Sequence, residues 1–187
     1  GVHTMRALEN FPITDVPIAI IPYLPEALAM VKEAAAETNH ELGLLPDEPY
    51  EAIVSACQEI RSGSLRDQFV VDVVQGGAGT STNMNANEVI ANRAVEILGY
   101  ELGDYSVVHP NDQVNLSQST NDVYPTAVKT SLVLATHDLI EAMVGLQLAF
   151  EAKAEEFHDV LKMGRTQLQD AVPMTLGQEF MGFAHTL

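Results

Sequence analysis

Hydroxyl and amide side chains are concentrated in three short segments of the sequence, at residues 76–85, 109–122 and 164–173. Such side chains donate hydrogen bonds to an anionic group without carrying charge themselves. Donors of this kind bind carboxylates, and they stabilise negative charge that develops on an oxygen during a reaction. The three segments are therefore candidates for the binding of a small anionic molecule.

The first segment, GGAGTSTNMN, begins with glycines, which let the backbone approach a ligand closely. No Lys followed by Ser or Thr comes after these glycines, so the segment is not a nucleotide-binding P-loop. Asn85 and Glu88 have the spacing of a helix N-cap and its partner three residues later. A flexible turn that caps a helix is therefore the structural alternative to a binding role.

The second segment, HPNDQVNLSQSTND, places Ser119 and Asp122 at capping-box spacing before a predicted helix. Capping alone does not explain so many consecutive donors, and a helix N-terminus with such side chains suits a carboxylate. The third segment, GRTQLQDAVP, is followed by Thr175 and Gln178, which form a second capping box. A connecting turn with Arg165 in a structural ion pair is the alternative there.

Helices must position most of these side chains. Apolar residues recur at helical spacing from Leu24 to Ala35, from Tyr50 to Ile60 after a cap at Asp47, and from Ala86 to Ile97. The run from Gln68 to Val74 predicts a strand or an extended segment.

A fourth helix is predicted from about Asp122 to Phe157, with an apolar seam that steps by alternating four and three residues. It would be roughly 50 Å long, which is more than a small domain can cover. We therefore expect a mainly α fold, with a mostly helical N-terminal domain at residues 1–115 that has little β-structure. Residues 116–187 would begin a central helical bundle whose partners lie in other subunits or in further sequence.

The composition excludes several function classes. With 9 basic and 26 acidic residues the formal charge is −17, which disfavours nucleic acid and an anionic membrane surface as partners. Cys57 is the only cysteine, so no internal disulfide is possible, and we expect a cytoplasmic protein with Cys57 in the core. HExxH, CxxC and GxSxG motifs are absent, so no metal site or serine-hydrolase site is predicted.

Four stretches resemble the class II fumarase/aspartase family, and together they extend the resemblance over nearly the whole chain. They are GVHTMRALENF, GGAGTSTNMNANEVIANRA, HPNDQVNLSQSTNDVYPTA and KMGRTQLQDAVPMTLGQEF. The resemblance implies a lyase that forms an aci-carboxylate intermediate and needs no cofactor. AGTSTNMN, where fumarases typically have SGTQSNMN, and Gln167, where they have His, favour the aspartase branch. The implied reaction converts L-aspartate to fumarate and ammonia, and hydration of fumarate is the alternative.

The resemblance also implies roles for individual residues. The β-carboxylate of the substrate would be bound by Thr80, Ser119 and Thr120, the amino group would face Asn121 and Gln167, and Thr166 would bind the α-carboxylate.

A second anion site near the entrance is implied for His109, Asn111 and Asp112. The sequence departs from many relatives beside this site, because Gln113 stands where they have His.

The serine base of the family lies in a mobile GSSxMPxKxNP loop, which this sequence does not contain. The resemblance further implies a homotetramer in which three subunits build each active site. Both ends of the sequence look cut, so we expect an N-terminal part that is inactive alone and carries no complete catalytic set. A non-catalytic truncated module that binds dicarboxylates or blocks assembly is the alternative of another class.

Overall fold

The computed structural model describes all 187 residues, from Gly1 to Leu187. The elements in chain order are the helices α1 (Val2–Asn10), α2 (Leu24–Glu41), α3 (Asp47–Arg61), α4 (Thr80–Ile97) and α5 (Thr120–Glu156), the strands β1 (Leu161–Thr166) and β2 (Gln169–Thr175), and the helix α6 (Leu176–Thr186). The chain forms two compact units, residues 1–134 and 135–187. This mainly α architecture confirms the predicted fold class, whereas the predicted domain boundary between residues 115 and 116 stays a prediction.

The core of the first unit lies where α2 packs on α3 and α3 packs on α4. Leu28, Ile53 and Ile90 are fully buried there, one from each helix, together with Phe69 from the connection after α3. Each of these apolar side chains contributes roughly 1.5–3 kcal/mol when it is removed from water. The apolar positions at helical spacing in the sequence correctly predict these three helices.

Cys57 belongs to this core, and its side chain is 0 % exposed, which confirms the predicted location. Burial in apolar surroundings disfavours the thiolate, and the nearby Glu33 carboxylate disfavours it further. Together they raise the pKa of the Cys57 thiol far above its usual range, against the smaller opposing effects of Lys32 and Arg61.

The predicted cap at Asn85 is wrong, because α4 begins five residues earlier, at Thr80. Asn85 is buried inside the helix, where its Nδ2 donates to the Gln68 carbonyl at 3.0 Å. Glu88 accepts hydrogen bonds from the backbone N–H and the hydroxyl of Thr4, at 2.9 and 2.6 Å. Both side chains therefore make tertiary contacts, which their spacing in the sequence does not reveal.

The predicted cap at Asp47 is also wrong. Pro46 occupies the cap position of α3, and Asp47 is the first helical residue. The Asp47 carboxylate lies 2.8 Å from His40 Nε2, so it joins the end of α2 to the start of α3.

The run from Gln68 to Val74 forms no regular strand, because Gln68 ends a short 3-10 helix. The residues after it make an isolated antiparallel bridge, Asp72 with Pro17, and backbone hydrogen bonds to residues 16–19. Asp72 accepts hydrogen bonds from the Thr14 and Val74 backbone at 2.6 and 2.7 Å, and others from the Thr14 hydroxyl and the Asp15 backbone. Burial works to raise the pKa of this carboxyl, but these hydrogen bonds outweigh it and lower the pKa from 3.8 to about 2. Asp72 thereby anchors the chain just before the first polar segment.

The long helix α5 has 37 residues, which confirms the prediction of one helix from about Asp122 to Phe157. Its second half exposes large apolar side chains, namely Leu139, Ile140, Val144, Leu146 and Leu148. By length and composition alone the helix could cross a membrane. A helix from the centre of a helix bundle passes the same test, so the expected absence of a membrane partner stays a prediction.

The second unit contains an antiparallel hairpin, β1–β2, at the place where the sequence suggests a simple connecting turn. Gln167 and Leu168 form its two-residue loop, and both have positive φ, 52° and 62°. The capping box of Thr175 and Gln178 at the start of α6 is confirmed. An aromatic cluster packs α6 on the end of α5, and its members are Phe150, Phe157, Phe180 and Phe183.

Candidate functional site

The first polar segment ends in the N-terminus of α4, where Thr80 is the first helical residue and is exposed. Gly79 precedes it with φ +84°, and a Cβ at this position would overlap the ring of Tyr124. Only glycine therefore permits both this backbone conformation and the close packing of α5 on the loop. The glycine in the sequence fixes the start of α4 beside the start of α5.

The second polar segment ends in the N-terminus of α5. Ser119 lies just before the helix, and its Oγ accepts a hydrogen bond from the Asn121 backbone N–H at 3.2 Å. The predicted capping box requires the Asp122 N–H there, but that group donates to the Ser119 carbonyl instead. Ser119 and Asn121 are exposed and Thr120 is half-buried, so all three are within reach of a ligand.

Asn83 connects the two segments. Its Nδ2 donates to Thr120 Oγ1 at 3.0 Å and to Asn115 Oδ1 at 3.1 Å. The first turns of α4 and α5, with Thr80 and Thr120, are thereby held together by a direct side-chain bond. The N-termini of two helices, which are the positive ends of their dipoles, are thus joined in a chain with a formal charge of −17.

A cavity of about 720 Å³ lies between the glycine loop and the start of α5. Its walls include Gly77, Gly79, Asn121 and Tyr124. Of the residues predicted to bind the substrate, Asn121 lines this cavity. A cavity next to neutral donors and helix N-termini can accept a small carboxylate.

Buried polar side chains lie behind the site, and the sequence analysis does not identify them. Lys32 of α2 donates to Asn115 Oδ1 and Gln118 Oε1 at 2.8 and 2.9 Å. Asn87 of α4 donates to the same Asn115 oxygen at 3.2 Å. The sequence contains one sign of this buried group. Lys32 lies one helical turn after Leu28, so it is a lysine on the apolar face of a predicted helix.

The second predicted anion site is a self-contained turn. His109 Nδ1 accepts hydrogen bonds from the Asn111 and Asp112 backbone N–H groups, at 3.2 and 3.0 Å. The exposed Asp112 carboxylate lies 3.3 Å from Nδ1 and adds negative charge to this turn. Binding of an anion here stays a prediction.

Thr166 and Gln167 lie in the second unit, at the tip of the β1–β2 hairpin, and both are exposed. Arg165 beside them pairs with Asp170 across the hairpin at 3.1 Å, so the structural interpretation of this arginine is correct. The positive φ of Gln167 is unfavourable for a side chain of this type. A two-residue hairpin loop of this kind requires positive φ at both of its residues, so the turn itself accounts for this conformation.

The chain matches the protein family described as lyase over residues 1–187. It is 57 % identical over 187 residues to an aspartate ammonia-lyase of Pseudomonas aeruginosa and 53 % identical over 185 residues to one of Escherichia coli. The chain spans 40 % and 39 % of the lengths of these two relatives.

Solved structures show the same fold. A fumarate lyase:delta crystallin from Brucella melitensis superposes with a TM-score of 0.95 at 62 % identity, over 100 % of this chain and 43 % of that one. A class II fumarase from Schistosoma mansoni superposes with a TM-score of 0.86 at 40 % identity, over 99 % of this chain and 39 % of the fumarase. The chain therefore has the fold of these proteins.

Proposed function

Because the chain belongs to the lyase family over its whole length, we propose that it is the carboxylate-binding part of an aspartate ammonia-lyase. The proposed reaction eliminates ammonia from L-aspartate to give fumarate. The observation that carries this proposal is the junction of two helix N-termini through Asn83 and Thr120, which gathers neutral donors at one place. The 57 % identity to an aspartate ammonia-lyase over 187 residues supports the choice of substrate.

The chemistry explains why the donors are neutral. Removal of a proton from Cβ of aspartate places a second negative charge on the β-carboxylate, as an aci-carboxylate. In the proposal, Thr80, Ser119 and Thr120 donate hydrogen bonds to this group and stabilise the charge as it develops. Each donor contributes on the order of 3 kcal/mol, by analogy with oxyanion-hole deletions. Ammonia then leaves from Cα.

Gln167 and Asn121 face the amino group in this proposal, and Thr166 binds the α-carboxylate. Amide side chains suit an ammonium group and ammonia because their oxygens accept and their nitrogens donate. The serine base would come from sequence that the chain does not contain. The proposed protein is a cytoplasmic homotetramer with active sites shared among its subunits, and no cofactor is implied.

Fumarate hydration is the second candidate, and the 40 % identity to a class II fumarase favours it. Hydration would use the same carboxylate donors, with water in place of ammonia. Gln167 argues for the ammonia-lyase, because fumarases carry His after the GRT of this segment.

The deciding experiment measures consumption of fumarate by the complete gene product, with and without ammonium. We expect consumption only with ammonium, with aspartate as the product. Formation of malate without ammonium would assign the protein to the fumarases. Absence of turnover under both conditions, together with binding of succinate, would point to a non-catalytic dicarboxylate-binding module. The 187-residue chain alone, assayed as a control, should be inactive.

A further inference from the structure

Lys32 is a buried cation for which the core provides no counter-charge. Its side chain is 0 % exposed, and its partners are the neutral amide oxygens of Asn115 and Gln118. No carboxylate lies within ion-pairing distance of its Nζ. Burying an ammonium in this way is unfavourable, and a well-packed apolar side chain would often be at least as stable. The lysine is therefore better explained by function than by stability.

An ammonium can only donate hydrogen bonds, so Lys32 determines the orientation of the amides that it contacts. The Asn115 oxygen must face Nζ, at 2.8 Å, and the Asn115 Nδ2 then donates to the Gln118 carbonyl at 3.1 Å. Since this oxygen also faces α4, Asn83 and Asn87 must both present their Nδ2 groups to it, at 3.1 and 3.2 Å. The direction of each hydrogen bond in this series, from Lys32 through Asn115 to Asn83, therefore follows from the positive charge of Lys32 at its buried end.

The last hydrogen bond in the chain reaches the candidate site. Asn83 Nδ2 donates to Thr120 Oγ1 at 3.0 Å, so the threonine oxygen acts as an acceptor toward the interior. Its own O–H therefore remains free to donate elsewhere. If Asn83 were turned over, its oxygen would face Thr120, and the hydroxyl would donate inward and be lost to a ligand.

Two buried oxygen atoms indicate that the asparagines do not set this direction themselves and that Lys32 does. The Oδ1 atoms of Asn83 and Asn87 have no hydrogen-bond partner, although both side chains are buried. Leaving a buried oxygen unpaired costs about 1–3 kcal/mol. Neither asparagine would be expected to choose this orientation in the absence of the lysine.

We propose that Lys32 is a positioning residue for the carboxylate site, which acts through Asn115 and Asn83 to present the Thr120 hydroxyl as a hydrogen-bond donor to an anionic ligand. The inference rests on the proposed function for its ligand, but the direction of the hydrogen bonds can be tested without turnover.

The kinetic test is a double-mutant cycle in the complete gene product, with Lys32→Met, Thr120→Val and both changes together. Thr120→Val should lower kcat/KM for aspartate about 100-fold, as expected for the loss of one donor. Lys32→Met should lower it at least about tenfold, and the double variant should be no slower than Thr120→Val, because both changes remove the same donor. The proposal would be overturned if the losses in kcat/KM of the two single variants multiplied in the double variant, or if Lys32→Met left kcat/KM unchanged.

Two further variants separate positioning from general disruption. Asn83→Asp offers only acceptors to Thr120 and should turn the hydroxyl inward while Lys32 is still present, so it provides the test if Lys32→Met does not fold. It too should show no additional loss when combined with Thr120→Val. Lys129→Met removes an exposed lysine of α5 as the matched control, and its effect should simply multiply with that of Thr120→Val.

Neutron diffraction decides the direction of the bond if aspartate is not the substrate. The deuteron on Thr120 Oγ1 should point away from Asn83 in the unchanged protein and toward Asn83 in the Lys32→Met variant. The same orientation in both proteins would disprove the positioning role. An inactive protein that showed the predicted reversal would refute the proposed function and leave the positioning role intact.

Discussion

Thr80 and Ser119 are exposed hydroxyl side chains at the starts of α4 and α5. In the complete gene product, Thr80→Ala and Ser119→Ala should each lower kcat for aspartate about 100-fold, because each removes one donor to the developing charge. The fold should persist, since the loss of a cap such as Ser119 costs only about 1 kcal/mol. Steady-state kinetics and circular dichroism measure the two effects.

Ser62→Ala is the matched control for these variants. Ser62 is an exposed hydroxyl whose Oγ donates to the Glu59 carbonyl at 2.7 Å, outside the candidate site. Its removal should leave kcat unchanged. Near-normal rates for both Thr80→Ala and Ser119→Ala would show that these hydroxyls do not bind the substrate.

Asp72 makes stability depend on pH. Its pKa is 3.8 in the unfolded chain and about 2 in the folded protein, so the carboxylate stabilises the fold above pH 3.8. This stabilisation is lost as the pH falls from 3.8 toward 2. The Asp72→Asn variant should therefore melt below the unchanged protein at neutral pH, and the difference in Tm should shrink as the pH falls through this window. A difference that is the same at every pH would show that the charge of Asp72 is unimportant.

At the scale of elements, the loop before α4 depends on the absence of a side chain at Gly79. Gly79→Ala should destabilise the protein in two ways, because φ is +84° and the new Cβ would overlap Tyr124. Gly99 is the matched control, since its φ is +83° but a Cβ added there would meet no atom within 4 Å. Gly99→Ala should cost only the backbone strain, roughly 1–2 kcal/mol.

Denaturant unfolding of the two glycine variants measures the difference. The additional loss in Gly79→Ala reports the close contact between the loop and α5, and it should be accompanied by weaker substrate binding. Equal losses for the two variants would mean that Tyr124 moves away without consequence.

The helices are predictable because their apolar residues follow the helical period, from Leu24 in α2 to Phe150 in α5. The hairpin β1–β2 is not, because Gly164 and Pro173 are poor strand residues and the two strands lack alternation. Its Gln167-Leu168 loop also lacks the Asn-Gly signal of such turns. The hairpin forms because β1 and β2 pair with each other, and no local sequence pattern indicates this pairing.

Only the exposed residues of the candidate site can be predicted from the sequence. Thr80, Ser119 and Asn121 can be found because hydroxyls and amides cluster in the sequence and resemble a family. Lys32 and Asn83 are missed, because their roles depend on contacts between residues that are far apart, such as the 2.8 Å bond from Lys32 to Asn115. Spacing within one helix does not reveal such partners.

For the whole molecule, the exposed apolar side chains on the second half of α5 suggest an interface. We expect the complete gene product to be a homotetramer in solution, with this half of α5 in the contact. Leu139→Glu and Leu146→Glu should dissociate it, because a charge placed in an apolar interface is poorly solvated. Light scattering of the purified protein measures its mass.

Glu155→Gln is the control for these variants, since it changes the charge of an exposed residue near the end of the same helix. The assembly should tolerate that change. A tetramer that persists after both leucine substitutions would place the interface elsewhere. Loss of activity together with dissociation would support active sites that are shared between subunits.

The reactivity of Cys57 reports on the unfolding of the first unit. Because the thiol is completely buried and its pKa is raised, an alkylating reagent can react with it only after the helices around it have separated. At low reagent concentration the labelling rate then equals the fraction of open molecules multiplied by the reactivity of a free thiol. One cysteine, in a chain that has no other, therefore allows the fraction of molecules in which this core is open to be measured by mass spectrometry without any engineered probe.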